Sequence, residues 1–377
     1  MNLRNTMVGY LDQHPSLKSA AKSGLLSTTR VYHSFIETFP NALQPSTRQI
    51  TIAITAKCNL GCKGCNYPNN GFMGGVMLPL EIIKTALDDA SAAGVSTVRF
   101  FGGEPLLHPH LPDMIAYATS LGFEVYVTSN GTLLKNRFDK LYEAGLRFIS
   151  MGFYGVDEHY DGYTQRPGHF QKLEESLTHV RSKYGSEVKL QLNWVLLRPT
   201  CNVEALRAAW DFAQRFDMVF HVDPVSYTLP FFNNGPDNEL PFHKGDETIL
   251  APVVEELIRL KRSDPERFWH GEPYLRSIPD WLLKQDEMQM PCYSYTLIWV
   301  GADGSVQLCD TTFPLGNLHQ TRLKDILYKQ EHKQACRDAF QMKCPNCLCG
   351  SEVRITQHRS SFAHYSGLGQ NQIKTVI

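Results

Sequence analysis

Between residues 49 and 225 the chain alternates strand-like and helix-like stretches, and this alternation restricts its fold more than any other feature. Strand-like runs stand at QITIAIT (49–55), VRFF (98–101), EVYVTS (124–129), RFISMGF (147–153), KLQLNWVL (189–196) and MVFHVDPV (218–225). Between them lie LPLEIIKTALDDASAAG, LPDMIAYATSLG, KNRFDKLYEAG, HFQKLEESLTHVRSKYG and NVEALRAAWDFAQRF, amphipathic stretches of which several stop at glycine. Strand then helix, repeated, predicts an α/β protein whose parallel sheet has right-handed crossovers and is either open or curled into a barrel. In both forms the ligand site lies beyond the carboxyl ends of the strands.

Cysteines stand at that end. Cys58, Cys62 and Cys65 follow the first strand in AKCNLGCKGCNYPNNG, with no fourth thiol nearby. Gly102-Gly103-Glu104-Pro105 follow the second strand, Ser129-Asn130-Gly131 the third, and Ser150 lies near the end of the fourth. Structural zinc takes four protein ligands, and the nearest downstream histidine is His108. Three cysteines fit better a 4Fe-4S cluster whose fourth iron is open to a small molecule, with zinc and a redox or buried thiol as the alternatives. The chain has ten cysteines, three in this loop, Cys201 alone and six between 292 and 349. In a reducing cytosol such clustering favours metal ligation over disulfides. With 37 basic against 38 acidic side chains there is no global field to draw nucleic acid or an anionic membrane. No apolar run is long enough to span a bilayer, and MNLRNTMVGYLDQ has no signal core, so the expectation is a cytoplasmic protein without a membrane span.

Taken in order, C-x3-C-x2-C after the first strand, FFGGEP after the second, TSNGTLL after the third and ISMGF as the fourth resemble the radical S-adenosylmethionine (SAM) superfamily. The resemblance covers about residues 49–225. It implies a partial (β/α)6 barrel in which Cys58, Cys62 and Cys65 hold a 4Fe-4S cluster and the open iron chelates SAM. It implies further that Gly102, Gly103 and Glu104 line the methionine amino group, that Ser150 approaches the ribose, and that Asn193 on the fifth strand also faces SAM. HYDGYTQRPGHFQKLEESL is similar to the stretch after the fourth strand in members with auxiliary clusters, which brings Arg166 to the SAM carboxylate. Many members carry an aromatic residue just before the third cysteine; here Gly64 stands there, and Tyr67 or Phe72 is the candidate for adenine packing.

Cys292, then Gly304 and Cys309, then Cys344 and Cys347 make a second constellation, C-x16-G-x4-C followed by C-x2-C. WVGADGSVQLCD has the pattern of a β-hairpin turning at Asp303-Gly304. This is similar to the twitch domain, the shortened SPASM domain, a small α+β unit of hairpin plus helix. It implies an auxiliary 4Fe-4S cluster on Cys292, Cys309, Cys344 and Cys347, with Cys336 or Cys349 as possible replacements; a structural zinc site is the alternative.

These readings divide the chain into an N-terminal helical extension (1–48) expected to cover the barrel, a radical SAM core (49–235), a helical bridge (236–290) and an auxiliary-cluster domain with tail (291–377). Phe231, Phe232, Asn233 and Asn234 are candidates to line a pocket, and His221 and Asp223 alternate on the sixth strand. The implied activity is reductive cleavage of SAM and hydrogen abstraction from an unactivated carbon, fed by an external electron donor such as flavodoxin or ferredoxin. The expected reaction is oxidation of a small polar substrate such as a sugar, cyclitol or nucleoside. Alternatives are a peptide maturase, an epimerase with Cys201 as hydrogen donor, and a non-catalytic iron-sulfur or zinc protein.

Overall fold

The computed structural model describes residues 15–69, 75–224, 239–284, 287, 290–310, 312–344 and 347. Six parallel strands, β1 (Gln49–Thr55), β2 (Thr97–Gly102), β3 (Glu124–Ser129), β4 (Phe148–Phe153), β5 (Lys189–Leu196) and β6 (Val219–Pro224), stand side by side in chain order. Around them run α1 (Pro15–Thr38), α2 (Asn66–Asn69), α3 (Leu80–Ala92), α4 (Leu111–Ser120), α5 (Leu134–Glu143), α6 (Asp157–Thr164), α7 (His169–Tyr184) and α8 (Val203–Arg215). Local chemistry sets several boundaries. Asn202 caps α8 by accepting the Ala205 N–H at 2.8 Å, and α7 stops at Gly185, whose φ of +53° disfavours a residue with a Cβ.

The strands have two unlike faces. Ile50, Ile52, Val98, Phe100, Ile149 and Leu192 point outward into one core with Leu87, Met114, Phe138 and Leu177 of the helices. Burying each such side chain contributes about 1.5–3 kcal/mol, which holds the helical layer on the sheet. The alternate residues, among them Arg99, Thr128, Ser150, Asn193, His221 and Asp223, face the other way. The sheet curls, because Arg99 on β2 lies within electrostatic range of His221 and Asp223 on β6. The result is an α/β partial barrel with a polar lumen.

The C-terminal segment completes the same sheet. β7 (Leu297–Val300) pairs in parallel with β1, Gln49 opposite Leu297, and β8 (Ser305–Gln307) and β9 (Pro314–Asn317) follow antiparallel, giving nine strands in the order β6-β5-β4-β3-β2-β1-β7-β8-β9. The expected hairpin turn is present: Asp303 Oδ1 accepts the Ser305 N–H at 3.0 Å, and Gly304 takes a φ of +79°. Together with α11 (Gln330–Phe340), these antiparallel strands have the make-up of a twitch unit. Buried Asp89 of α3 receives Arg322 Nε at 3.0 Å and the Lys324 N–H at 3.2 Å, so the segment is pinned to the barrel wall.

Three placements depart from the sequence reading. The amphipathic stretches before residue 48 form one helix, α1, and Ile36 and Leu43 pack with Tyr295, Leu308, Cys336 and Phe340. Through Ile36 and Leu43 the described part of the N-terminal extension covers the C-terminal unit. Second, α6 after β4 is a helix to which the sequence reading assigned no element. Third, α9 (Glu247–Ser263) and α10 (Glu272–Lys284) join the barrel core through Leu250, Leu257, Ile278 and Trp281, while the Phe220 N–H donates to Arg267 O and the Trp269 N–H to Phe220 O along the β6 edge. That stretch closes an edge as well as bridging two units.

Candidate functional site

The cysteine loop leaves β1 and is held from four sides. The Gly103 N–H donates to Thr55 O at 2.8 Å and the Glu104 N–H to Lys57 O at 2.8 Å, so the end of β2 runs directly against the loop backbone. A Cβ on Gly102 would lie 2.2 Å from Thr55 O and one on Gly103 2.3 Å from Lys57 O. Only glycine permits this approach. From the other side, the Gly61 N–H donates to Thr164 O and the Lys63 N–H to Tyr163 O, each at 2.9 Å, docking the loop on α6. Asn130 Nδ2 donates to Asn59 Oδ1 at 2.9 Å and Asn59 Nδ2 to Thr132 Oγ1 at 3.0 Å, tying it to the end of β3. Arg166 Nε reaches Asn59 O at 3.3 Å.

Glu104 is the brace beneath this assembly. Its buried carboxylate accepts the Leu106 N–H at 2.9 Å, the Ser129 hydroxyl at 2.8 Å and the Asn130 N–H at 2.8 Å. Burial pushes its carboxyl up to about 7 against these three bonds, which favour the charge.

Burial likewise pushes the Cys58 thiol up to about 12, with Glu104 and Cys65 adding to the effect; Cys62 and Cys65 are raised chiefly by burial. Such thiols keep their protons until a cation displaces them, which suits ligands of iron and not free nucleophiles. Among the described residues no three His, Cys, Asp or Glu side chains converge around a single ion. A 4Fe-4S cluster spreads its thiolates over separate irons, and so the donor set fits the cluster better than zinc.

Inside the lumen, Asn193 Nδ2 donates to Ser150 Oγ at 2.7 Å and Gln191 Nε2 to Asn193 Oδ1 at 2.7 Å. Buried Tyr67 sets its ring edge-on to Phe101, with centroids 6.4 Å apart, beside Cys65. Arg99 donates Nε to Thr128 Oγ1 at 2.9 Å and lies 4.6 Å from the Phe101 ring centre. Burial raises half-buried Asp310 to about 6, opposed by the Arg99 charge. His221 is driven well below the usual imidazole range by burial, with His270 and Arg99 adding to the effect.

The seven expected cluster ligands lie in two places. Cys58, Cys62 and Cys65 share the loop, while Cys292 and Cys309 flank Tyr295 and Leu308, which share a core with α11; Cys344 and Cys347 follow that helix. Cys336 is buried in the same core, near Cys292, with its thiol pushed up to about 12 by burial. Cys349, Phe72 and residues Phe231, Phe232, Asn233 and Asn234 lie outside the described residues. Cys201 lies beside α9. Its buried Sγ donates to Ile249 O of α9 at 3.8 Å, and burial pushes it up to about 12. It packs in the core between barrel and helices. Sequence reasoning missed Arg99, Asn59, Thr132 and Asp310; the inward position of Arg99 in VRFF was the available signal.

Residues 52–197 match the Radical SAM superfamily, and residues 292–349 match the SPASM iron-sulfur cluster-binding domain. The chain belongs to the radical SAM superfamily. An AdoMet-dependent heme synthase of Methanosarcina barkeri is 27% identical over 331 residues, 82% of this chain and 90% of the relative. A GTP 3',8-cyclase of Chlorobaculum tepidum is 34% identical over 160 residues, so this radical SAM chain spans about half (47%) of that relative, with 41% of its own length. Among solved structures, Streptococcus suis SuiB bound to precursor peptide SuiA has a TM-score of 0.59 at 17% identity, over 81% of this chain and 70% of that one. AdoMet-bound anSMEcpe has a TM-score of 0.59 at 16% identity, over 87% and 99%. At these identities the structures share the fold. As a radical SAM enzyme with a SPASM-type domain, the protein takes a 4Fe-4S cluster, SAM and auxiliary iron-sulfur ligation as its cofactors. Among the described residues no helix is long and apolar enough to cross a membrane.

Proposed function

We propose that this radical SAM enzyme oxidises a small polar substrate, such as a sugar, cyclitol or nucleoside, at an unactivated C–H bond in a biosynthetic pathway. The observation that carries the reading is the lumen beside the cysteine loop, where Arg99, Asp223, Asp310 and His221 offer charged and polar contacts in place of an apolar wall. When bound, the reduced cluster and SAM supply the radical that removes the hydrogen atom.

In this reading Cys58, Cys62 and Cys65 hold the SAM cluster, and the bracing by Gly103, Glu104, Asn59 and Asn130 fixes their loop. Gly102, Gly103 and Glu104 border the methionine end, Arg166 its carboxylate, Ser150 and Asn193 the ribose, and Tyr67 the adenine. Cys292, Cys309, Cys344 and Cys347 hold the auxiliary cluster. The functional divisions are the extension 1–48, the core 49–235, the bridge 236–290 and the auxiliary domain with tail 291–377. An external flavodoxin or ferredoxin supplies the electron, in the cytoplasm. The side chains on the lumen face of the strands hold the target C–H in place against water and competing hydrogen donors.

A second reading, chemistry on a heme precursor, is favoured by the match to the heme synthase along 82% of this chain. Peptide modification is favoured by the fold shared with peptide-bound SuiB. Anaerobic reaction with SAM and reductant separates the three: a polar product lighter by about two mass units supports oxidation. A new Soret band or a mass change in a peptide supports one of the others instead.

A further inference from the structure

A buried hydrogen bond joins α1 to the turn that carries Cys292. His33 Nε2 of the helix lies 2.7 Å from the Tyr295 hydroxyl, and both residues are buried although they stand 262 positions apart. The same imidazole is edge-on to Phe340 of α11, with centroids 6.0 Å apart, and lies 6.4 Å from the Tyr293 ring. Tyr295 belongs to the short turn Ser294–Thr296, which begins just beyond Cys292, and Cys292 Sγ donates to Ser294 Oγ at 3.4 Å. Backbone bonds fasten the other side of that turn to the chain entering β1: the Ser46 N–H donates to Tyr295 O at 3.0 Å and the Arg48 N–H to Thr296 O at 2.7 Å.

The remaining cysteine segments meet at the same place. Leu308, directly before Cys309, and Phe340, which ends α11 shortly before Cys344, share one small core with Tyr295 and with Ile36 of α1. Cys292, Cys309, Cys344 and Cys347 are all half-buried thiols, a donor set that suits an iron-sulfur cluster. Their segments come from distant parts of the chain, so the distances between the thiols depend on what holds the segments against one another. Apolar packing does this without a preferred direction. A buried polar pair costs stability unless it is bonded, and once bonded it fixes the orientation of both partners. The His33–Tyr295 bond therefore sets the angle at which the Cys292 turn meets α11.

We propose that His33 and Tyr295 are positioning residues for the auxiliary cluster, and that α1 is part of that cluster's site as well as its cover. The proposal rests on the preceding reading that Cys292, Cys309, Cys344 and Cys347 hold the cluster.

The test uses the full chain with Cys58, Cys62 and Cys65 all changed to alanine, in which the iron that remains, about four per chain, belongs to the auxiliary cluster. After anaerobic reconstitution, release of iron to a coloured iron(II) chelator is followed in time. His33→Phe and Tyr295→Phe each keep a ring and remove the bond, and each is expected to release iron about tenfold faster than this parent. His33→Gln, whose side-chain amide nitrogen takes the place of Nε2, is expected to stay near the parent rate. Ile36→Ala loosens the same core but leaves the bond; it is expected to lower the melting temperature and keep the parent rate. Release at the parent rate in both His33→Phe and Tyr295→Phe overturns the proposal. So does an Ile36→Ala variant that speeds release as much as they do, which assigns the effect to packing. A parent that holds no iron contradicts the auxiliary-cluster reading itself and the proposal with it, a result distinct from a parent that holds iron and variants that keep it.

Discussion

Asn193 on β5 donates a 2.7 Å hydrogen bond to the Ser150 hydroxyl on β4, joining two residues 43 positions apart on the lumen face. Each fixes the rotamer of the other. If both face SAM, Ser150→Ala and Asn193→Ala should each weaken SAM binding about tenfold, or about 1.4 kcal/mol. Because they share a bond, the double variant should lose less than the product of the two effects. Calorimetric titration with SAM measures all three; wild-type affinity in both single variants removes these residues from the site.

Gly103 tests the bracing of the cysteine loop. Gly103→Ala places a Cβ 2.3 Å from Lys57 O, and backbone at that distance has to move. The variant is expected to fold, since the clash lies at the strand ends, but to bind about four irons per chain where the wild type binds about eight. Iron analysis after anaerobic reconstitution checks this, and a full complement of iron shows that the loop tolerates the displacement.

His270 gives the fold a defined acid sensitivity. Burial lowers it from 6.5 to about 3, and its Nε2 lies 3.0 Å from Val222 O. Between those pH values the unfolded chain takes up a proton that the folded one refuses, so the stability it contributes is present above about 6.5 and falls as pH drops. The slope is about 1.4 kcal/mol per pH unit. Urea unfolding at pH 7, 6 and 5 should show this component in the wild type and its loss in His270→Phe. Equal slopes in the two proteins contradict it.

Strand positions were legible because their period of two survives in any context: β1, β3 and β5 begin and end where the alternation does. The pairing of Gln49 with Leu297 was not, since no local pattern names a partner that distant. For the same reason the packing of Ile36 and Leu43 on the C-terminal unit was not legible. The helix at DEHYDGYT escaped notice because Asp157, Asp161 and Gly162 carry little helical preference, and the loop contacts at Tyr163 and Thr164 supply what propensity lacks. In the site, cysteine spacing announced the loop, whereas Arg99 read as one residue of a strand until the curl of the sheet brought β6 opposite it.

Cys201 separates oxidation from epimerisation. Its Sγ is bonded to Ile249 O of α9 and packs in the core, and we propose that it takes no part in the reaction. Turnover in heavy water should give the same product mass with Cys201→Ala as with the wild type, and no new deuterium on recovered substrate. One deuterium per product, abolished by Cys201→Ala, establishes the epimerase instead.

Reductive cleavage of SAM tests the central claim most directly. The anaerobically reconstituted chain, given SAM and a one-electron reductant, is expected to form 5'-deoxyadenosine and methionine, and the variant with Cys58, Cys62 and Cys65 all changed to alanine is expected to form neither while keeping about four irons. A wild-type chain that binds zinc in this loop and releases no 5'-deoxyadenosine contradicts the account.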